Sequence, residues 1–174
     1  MIEVRPVRLP GDIDAVEALD AGVETDAVLA AIPGENGFEF ILMGDRVTKR
    51  FPLEAVFAED RRWDTAWVAI EDDAICGFAA CAFEPWNRRL VLWHMYVDAP
   101  SRRRGVGWRL MEQVQAEANQ RGALHIWLET SNRNLPGIEA YKAMGFMITG
   151  LDLTIYDGTD AEGEFAVFLS KMLD

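Results

Sequence analysis

At 174 residues and 50% hydrophobic, with no long low-complexity stretch, the chain has the size of one compact domain with an ample core. Its formal net charge of −12 excludes the basic footprint that a nucleic-acid backbone needs, and beyond serving solubility it favours a cationic small molecule. No apolar run approaches the roughly 20 residues of a membrane span, and Met1-Ile2-Glu3 does not open a signal peptide, so the expectation is a cytoplasmic protein with no membrane partner.

Ile2 to Arg8 alternates and predicts a first strand, stopped by Pro10-Gly11. Asp12 stands where an N-cap belongs, before a helix with Ile13, Val16 and Leu19 at helical spacing. Residues 21–62 carry the weakest periodicity. There Pro33-Gly34 and Asn36-Gly37 signal turns, and Phe38 to Leu42 with Arg46 to Phe51 predict a hairpin across Gly44-Asp45. Thr65 to Ile70 and Ile75 to Phe83 predict a second hairpin around Glu71-Asp72-Asp73. Cys76 and Cys81 stand five apart in that strand and so on opposite faces, which argues for two buried thiols in a reducing compartment rather than a disulfide.

Pro85-Trp86-Asn87-Arg88 turns the chain into an apolar central strand, Leu90 to Val97, followed by Arg102-Arg103-Arg104-Gly105-Val106-Gly107. A helix then carries Val106, Leu110, Val114 and Ala118 on one stripe, and Gly122 stands where a C′ glycine ends it. Leu124 to Thr130 predicts a strand with Leu124, Ile126 and Leu128 on one face and His125, Trp127 and Glu129 on the other. Asn134 can cap a further helix that has Pro136 in its first turn and ends at Gly145. Two final strand-like runs, Phe146 to Tyr156 and Glu164 to Met172, flank Asp157-Gly158-Thr159-Asp160.

The chemistry concentrates where the central strand meets its helix. A helix opening from a glycine-bearing basic turn presents unpaired N–H groups and the positive end of its dipole, which make an anion site, and phosphate is the leading ligand. Gly105 and Gly107 let a ligand come close to the backbone. The spacing is neither G-x-x-x-x-G-K-S/T nor G-x-G-x-x-G. It is Arg-x-x-Gly-x-Gly, and in this it resembles the GNAT superfamily of N-acetyltransferases, whose Gln/Arg-x-x-Gly-x-Gly/Ala loop holds the pyrophosphate of acetyl-CoA. The resemblance extends to Asn134, Tyr141 seven residues on, and Gly145-Phe146, a pattern that lies beside the thiol end of the cofactor in that superfamily.

The resemblance implies an α+β GNAT fold of three layers: a mixed, mostly antiparallel sheet with splayed central strands and helices on both faces. It implies acetyl-CoA as co-substrate, bound by the Arg102, Arg103, Arg104, Gly105, Val106 and Gly107 turn, by the main chain of Met95, Tyr96 and Val97 beside the pantetheine arm, and by Asn134. Tyr141 is then the general acid that protonates the departing thiolate. The base stays open among Glu129, His94, His125 and Tyr96; Glu129, twelve residues before Tyr141, resembles the Glu of enzymes that acetylate protein N-termini. Two histidines without a cysteine cluster suggest no metal site.

Outside these motifs, Trp86-Asn87-Arg88-Arg89-Leu90, Gly150-Leu151-Asp152, Tyr156-Asp157-Gly158-Thr159, Thr48-Lys49 before Phe51-Pro52, and Ala18-Leu19-Asp20 with Thr25-Asp26 resemble streptothricin (nourseothricin) acetyltransferases over nearly the whole chain. Those enzymes acetylate an amine on the β-lysine arm of a polycationic antibiotic, in keeping with the acidic balance here. The central strand departs from them, reading Trp93-His94-Met95-Tyr96 where that family carries several acids. The expected function is N-acetylation of a small cationic amine by direct transfer in a ternary complex. The alternatives are a protein or peptide N-terminal acetyltransferase and a non-enzymatic acyl-CoA-binding regulatory module; monomer and homodimer both stay open.

Overall fold

The computed structural model describes residues 1–173. Its elements in order are β1 (Glu3–Pro6), α1 (Ile13–Glu17), β2 (Val23–Gly34), β3 (Gly37–Lys49), β4 (Thr65–Glu71), β5 (Ala74–Glu84), β6 (Arg89–Val97), α2 (Val106–Gln120), β7 (His125–Ser131), α3 (Leu135–Ala143), β8 (Met147–Asp152) and β9 (Ala166–Met172). They form a mixed, mostly antiparallel α+β architecture in two compact units.

The first unit holds residues 1–21, 51–128 and the chain from 171 on. Its strands lie in the order β1-β4-β5-β6-β7, antiparallel up to β6 and parallel from β6 to β7. The β4–β5 turn places Asp72 and Asp73 at φ 51° and 63°, left-handed conformations that a short polar side chain tolerates. The apolar stripe of α2 lands as its periodicity predicts: Val106, Leu110, Val114 and Ala118 are all buried, Val106 and Leu110 over Gly77 of β5, and Gly122 ends the helix at φ 68°. α1 is shorter than its spacing predicts and ends before Leu19. Asp12 does precede it, but the Asp12 carboxylate caps nothing and instead accepts hydrogen bonds from Arg5 and from the Arg8 N–H.

The second unit holds residues 22–50 and 129–170. The hairpin expected across Gly44-Asp45 is not there: β3 runs straight through those residues and pairs along its length with β2. The turn is the two-residue loop Glu35-Asn36 between Gly34 and Gly37, so the Asn36-Gly37 signal prevailed over Gly44-Asp45. β2 was hidden because its consecutive residues Val28 and Leu29 are both buried, which breaks a period of two, and its ladder to β3 shifts register where Asp45 and Arg46 of β3 oppose Asp26 alone. α3 starts at its cap as expected, with the Asn134 side chain accepting from the Gly137 N–H at 3.2 Å. The end of β7, β9 and β8 follow in that order, with β8 and β9 antiparallel. No helix among the described residues is long and apolar enough to cross a membrane.

Candidate active site

In the first unit the decisive joint is the end of β6. Opposite β5, Ala80 pairs with His94 and Cys81 with Leu92, so Trp93 is the extra residue of a bulge. The parallel ladder to β7 comprises Arg89 to Val91 only, against His125 to Trp127. From Leu92 onward β6 therefore has no ladder partner on that edge among the described residues, as the expected splay requires. The Asp98 N–H donates to the Cys76 carbonyl at 3.0 Å, which makes Cys76/Asp98 a hydrogen-bonded pair and, by alternation, turns the backbone of Tyr96 toward β5 and that of Met95 and Val97 toward the open edge.

The basic turn follows directly. Gly105 precedes α2 at φ 91°, and a Cβ there would meet no atom within 4 Å, so this backbone lies open to an approaching ligand. Val106, the first helical residue, is buried, and its N–H belongs to the first-turn donors that α2 leaves unpaired. The three arginines differ. Arg102 is turned inward, donating from Nε to the Val97 carbonyl and from Nη2 to the Asp20 carbonyl. Arg104 is paired with Glu71 at 2.8 Å. Arg103, exposed at φ 60°, makes no ion pair among the described residues and is the cation of the turn available to an anion.

His94 and Tyr96 lie on one face of β6, Nδ1 to Oη at 3.1 Å, with the Phe51 ring packed at a tilt against Tyr96, centroids 5.6 Å apart. Desolvation pulls the His94 pKa down to about 4 and pushes the Tyr96 phenol up to about 12, so both are neutral near pH 7. Among the described residues no carboxylate counters that shift; burial alone accounts for it. His125 begins β7 in register with Arg89, the other end of β6 from Val97 and about 26 Å along the strand. That distance keeps it away from the turn.

The second unit carries the remaining candidates. The Asn134 amide is engaged at both ends, accepting from the Gly137 N–H and donating to Thr130 Oγ1 at 2.9 Å. Tyr141 is half-buried on α3, its ring edge-on to Phe146 at 5.7 Å, while its carbonyl accepts from the Phe146 N–H; the Gly145-Phe146 turn thus packs back on the tyrosine. Glu129 is exposed at the end of β7 and accepts a 2.8 Å hydrogen bond from Tyr156 Oη. Burial, and after it the charge of Glu129, raises the Tyr156 pKa, so Tyr156 serves as a donor and not as a base. Glu164, buried, accepts from Lys49 Nζ at 2.8 Å and from the Ser131 hydroxyl.

Sequence reasoning gave Tyr156 no role, because it lies in the irregular segment after β8 where no periodicity speaks. It also passed over Gly77 in β5, whose missing side chain seats the start of α2: a Cβ at 77 would lie 2.8 Å from Val106 Cγ1. Among the described residues no group of three or more His, Cys, Asp and Glu could hold a metal ion.

Known proteins agree with this geometry. The model of the acetyltransferase (GNAT) family matches residues 39–146. A streptothricin acetyltransferase of Streptomyces lavendulae is 36% identical over 181 residues, covering 97% of this chain and 93% of the relative. The crystal structure of a nourseothricin acetyltransferase, also 36% identical, superposes with a TM-score of 0.89 over 99% of both chains. A Bacillus anthracis protein solved in complex with acetyl coenzyme A shares the fold at a TM-score of 0.83 and 24% identity, over 100% of this chain and 98% of that one. With the family model spanning more than half its length and a full-length relative above 30% identity, the chain belongs to the acetyltransferase (GNAT) family and is an enzyme.

Proposed function

We propose that this enzyme transfers the acetyl group of acetyl-CoA to an amine of a small polycationic substrate, streptothricin-type antibiotics first. The observation that carries the reading is the unladdered edge of β6 running into a turn with an open glycine and a helix N-terminus. That sequence of features suits a ligand with an amide-bearing arm joined to a pyrophosphate, since the arm can pair with a free strand edge and the phosphates with unpaired N–H groups. The Bacillus anthracis complex shows that this fold accommodates acetyl coenzyme A. The acceptor assignment is supported by the Streptomyces lavendulae relative, whose name states its substrate, and by the net charge of −12, which attracts a cation.

Bound acetyl-CoA supplies the activated acetyl group. The chain holds it through the backbone of Met95 and Val97 and through the N–H groups of Gly105, Val106 and Gly107, with Arg103 as the nearby free cation. Glu129 takes the proton that the acceptor ammonium must lose before its nitrogen becomes nucleophilic, and Tyr156 orients that carboxylate. Tyr141 gives a proton to the sulfur that leaves. His94, neutral and partnered by the Tyr96 hydroxyl, is assigned to packing rather than proton transfer.

An assay of thiol release from acetyl-CoA, run with streptothricin, polyamines, aminoglycosides and peptides, tests the proposal. Fastest turnover with streptothricin or another polycationic amine is expected. Preference for a neutral amine or for peptide N-termini overturns the acceptor assignment.

A further inference from the structure

Arg102 opens the Arg-x-x-Gly-x-Gly turn, and its position in a phosphate-binding signature suggests a phosphate ligand. Its side chain is spent elsewhere. Nε donates to the Val97 carbonyl at 3.1 Å and Nη2 to the Asp20 carbonyl at 3.0 Å. The Asp20 carbonyl also accepts from the Ala99 N–H at 2.9 Å, and the Asp20 N–H donates to Asp98 Oδ1 at 2.8 Å. One guanidinium therefore joins the last residue of β6, the segment that follows α1, and the turn itself, all within one compact unit. The Val97 carbonyl faces the open edge of β6, because Asp98 and Tyr96 face β5.

Resting on the reading that acetyl-CoA lies along β6, we infer that Arg102 is a positioning residue that fixes which backbone groups of that edge are offered to the pantetheine arm. With the Val97 carbonyl engaged by the guanidinium, whose bulk also stands on that side of the edge, the acceptor left without a partner among the described residues is the Met95 carbonyl, and the donors so left are the Met95 and Val97 N–H groups. An arm seeking a strand-like ladder then has one register instead of two separated by two residues, or about 6.6 Å. Such a slip would carry the thioester far from any fixed catalytic group, so fixing the register contributes to rate and not only to affinity. Phosphate binding falls to the N–H groups and Arg103. Glutamine can stand in for Arg102 because its amide can still donate to Val97, whereas methionine offers no donor.

The test measures kcat, KM for acetyl-CoA and the affinity for CoA at several salt concentrations, with urea midpoints alongside, for the wild type, R102Q and R102M. R102M is expected to lose roughly ten- to a hundredfold in kcat/KM, chiefly in kcat, the range for a misplaced reacting group. R102Q should recover most of that, and the salt dependence of CoA affinity should be the same in all three. If R102Q fails as badly as R102M and both show a flatter salt dependence, Arg102 binds phosphate, through Nη1 or by leaving its present partners, and the inference is overturned. It is equally overturned if both variants keep wild-type kcat/KM. If R102M does not fold, R102Q and its salt dependence still decide. Absence of CoA binding by the wild type sinks the underlying reading as well, whereas CoA binding that is weakened by changes at Gly105, together with wild-type kcat in both Arg102 variants, sinks this inference alone.

Discussion

Val106 packs on Gly77, so closely that a Cβ at residue 77 would stand 2.8 Å from Val106 Cγ1, 3.0 Å from Leu110 Cδ1 and 3.1 Å from the Tyr96 carbonyl. A residue of β5 with no side chain thereby sets the height at which α2 leaves the sheet, and with it the position of the anion cradle. Gly77→Ala should destabilise by about 1–3 kcal/mol, the usual range for overpacking, and should weaken CoA binding. Val106→Ala in that background should return part of the loss. A urea-unfolding double-mutant cycle checks this: strictly additive effects mean that the two residues do not set each other's position.

Gly105 makes a different demand, for conformation and for access. At φ 91°, a β-branched side chain is strained by roughly 1–2 kcal/mol and also projects into the open side of the turn. Gly105→Val should therefore keep its fold while CoA affinity falls by about tenfold or more, the range of one or two lost N–H contacts. Calorimetry that finds unchanged CoA affinity in the folded variant removes this turn from the site.

His94 should leave its mark on acid stability rather than on catalysis. Its folded pKa of about 4 lies below the unfolded value of 6.5, so between these values the unfolded chain binds the extra proton. Its contribution is complete above pH 6.5 and is lost as pH falls toward 4. From pH 7 to pH 5 the loss amounts to roughly 2 kcal/mol. Urea denaturation at both pH values should show His94→Gln losing less stability over this interval than the wild type; equal losses would mean that His94 stays solvated.

The acidic surface should show in the rate law. If a polycationic acceptor is drawn by the net charge of −12, its kcat/KM should fall as ionic strength rises toward about 0.15 M, where the screening length shrinks to about 8 Å. A neutral amine offered to the same enzyme should show no such fall. Stopped-flow or steady-state measurement with both amines separates steering from a general salt effect. A flat profile for the cation removes charge from the account of substrate choice.

How far the chain could be read from its sequence depended on whether each segment's partner was local. β4, β5, β6 and α2 were legible because alternation, a 3.6 period and the Asp72-Asp73 and Gly122 stops act within a few residues. β2 was not, because the adjacent buried pair Val28-Leu29 erases its alternation and its pairing with β3, which bulges at Asp45-Arg46, alone defines it. The Arg102–Gly107 turn was readable as an anion site, yet the inward turn of Arg102 was not, since Val97 and Asp20 reach it only through the fold. Tyr156 lies 27 residues beyond Glu129 in irregular chain, and no spacing rule joins them.

Tyr141 bears the last prediction, which separates proton transfer from packing. Its ring packs edge-on with Phe146 at 5.7 Å, and Tyr141→Phe keeps that contact while removing the hydroxyl. If the hydroxyl gives its proton to the leaving sulfur, kcat should drop by on the order of 10² or more, while acetyl-CoA affinity and the melting temperature barely move. The lower end of the range for general acids is expected, because a thiolate is a good leaving group and water can replace part of the function. A packing role predicts the reverse pattern, in which removal of a hydrogen-bonding hydroxyl costs about 1 kcal/mol of stability and leaves kcat alone. Turnover of Tyr141→Phe equal to wild type, with a lowered melting temperature, assigns Tyr141 to packing and moves the acid elsewhere.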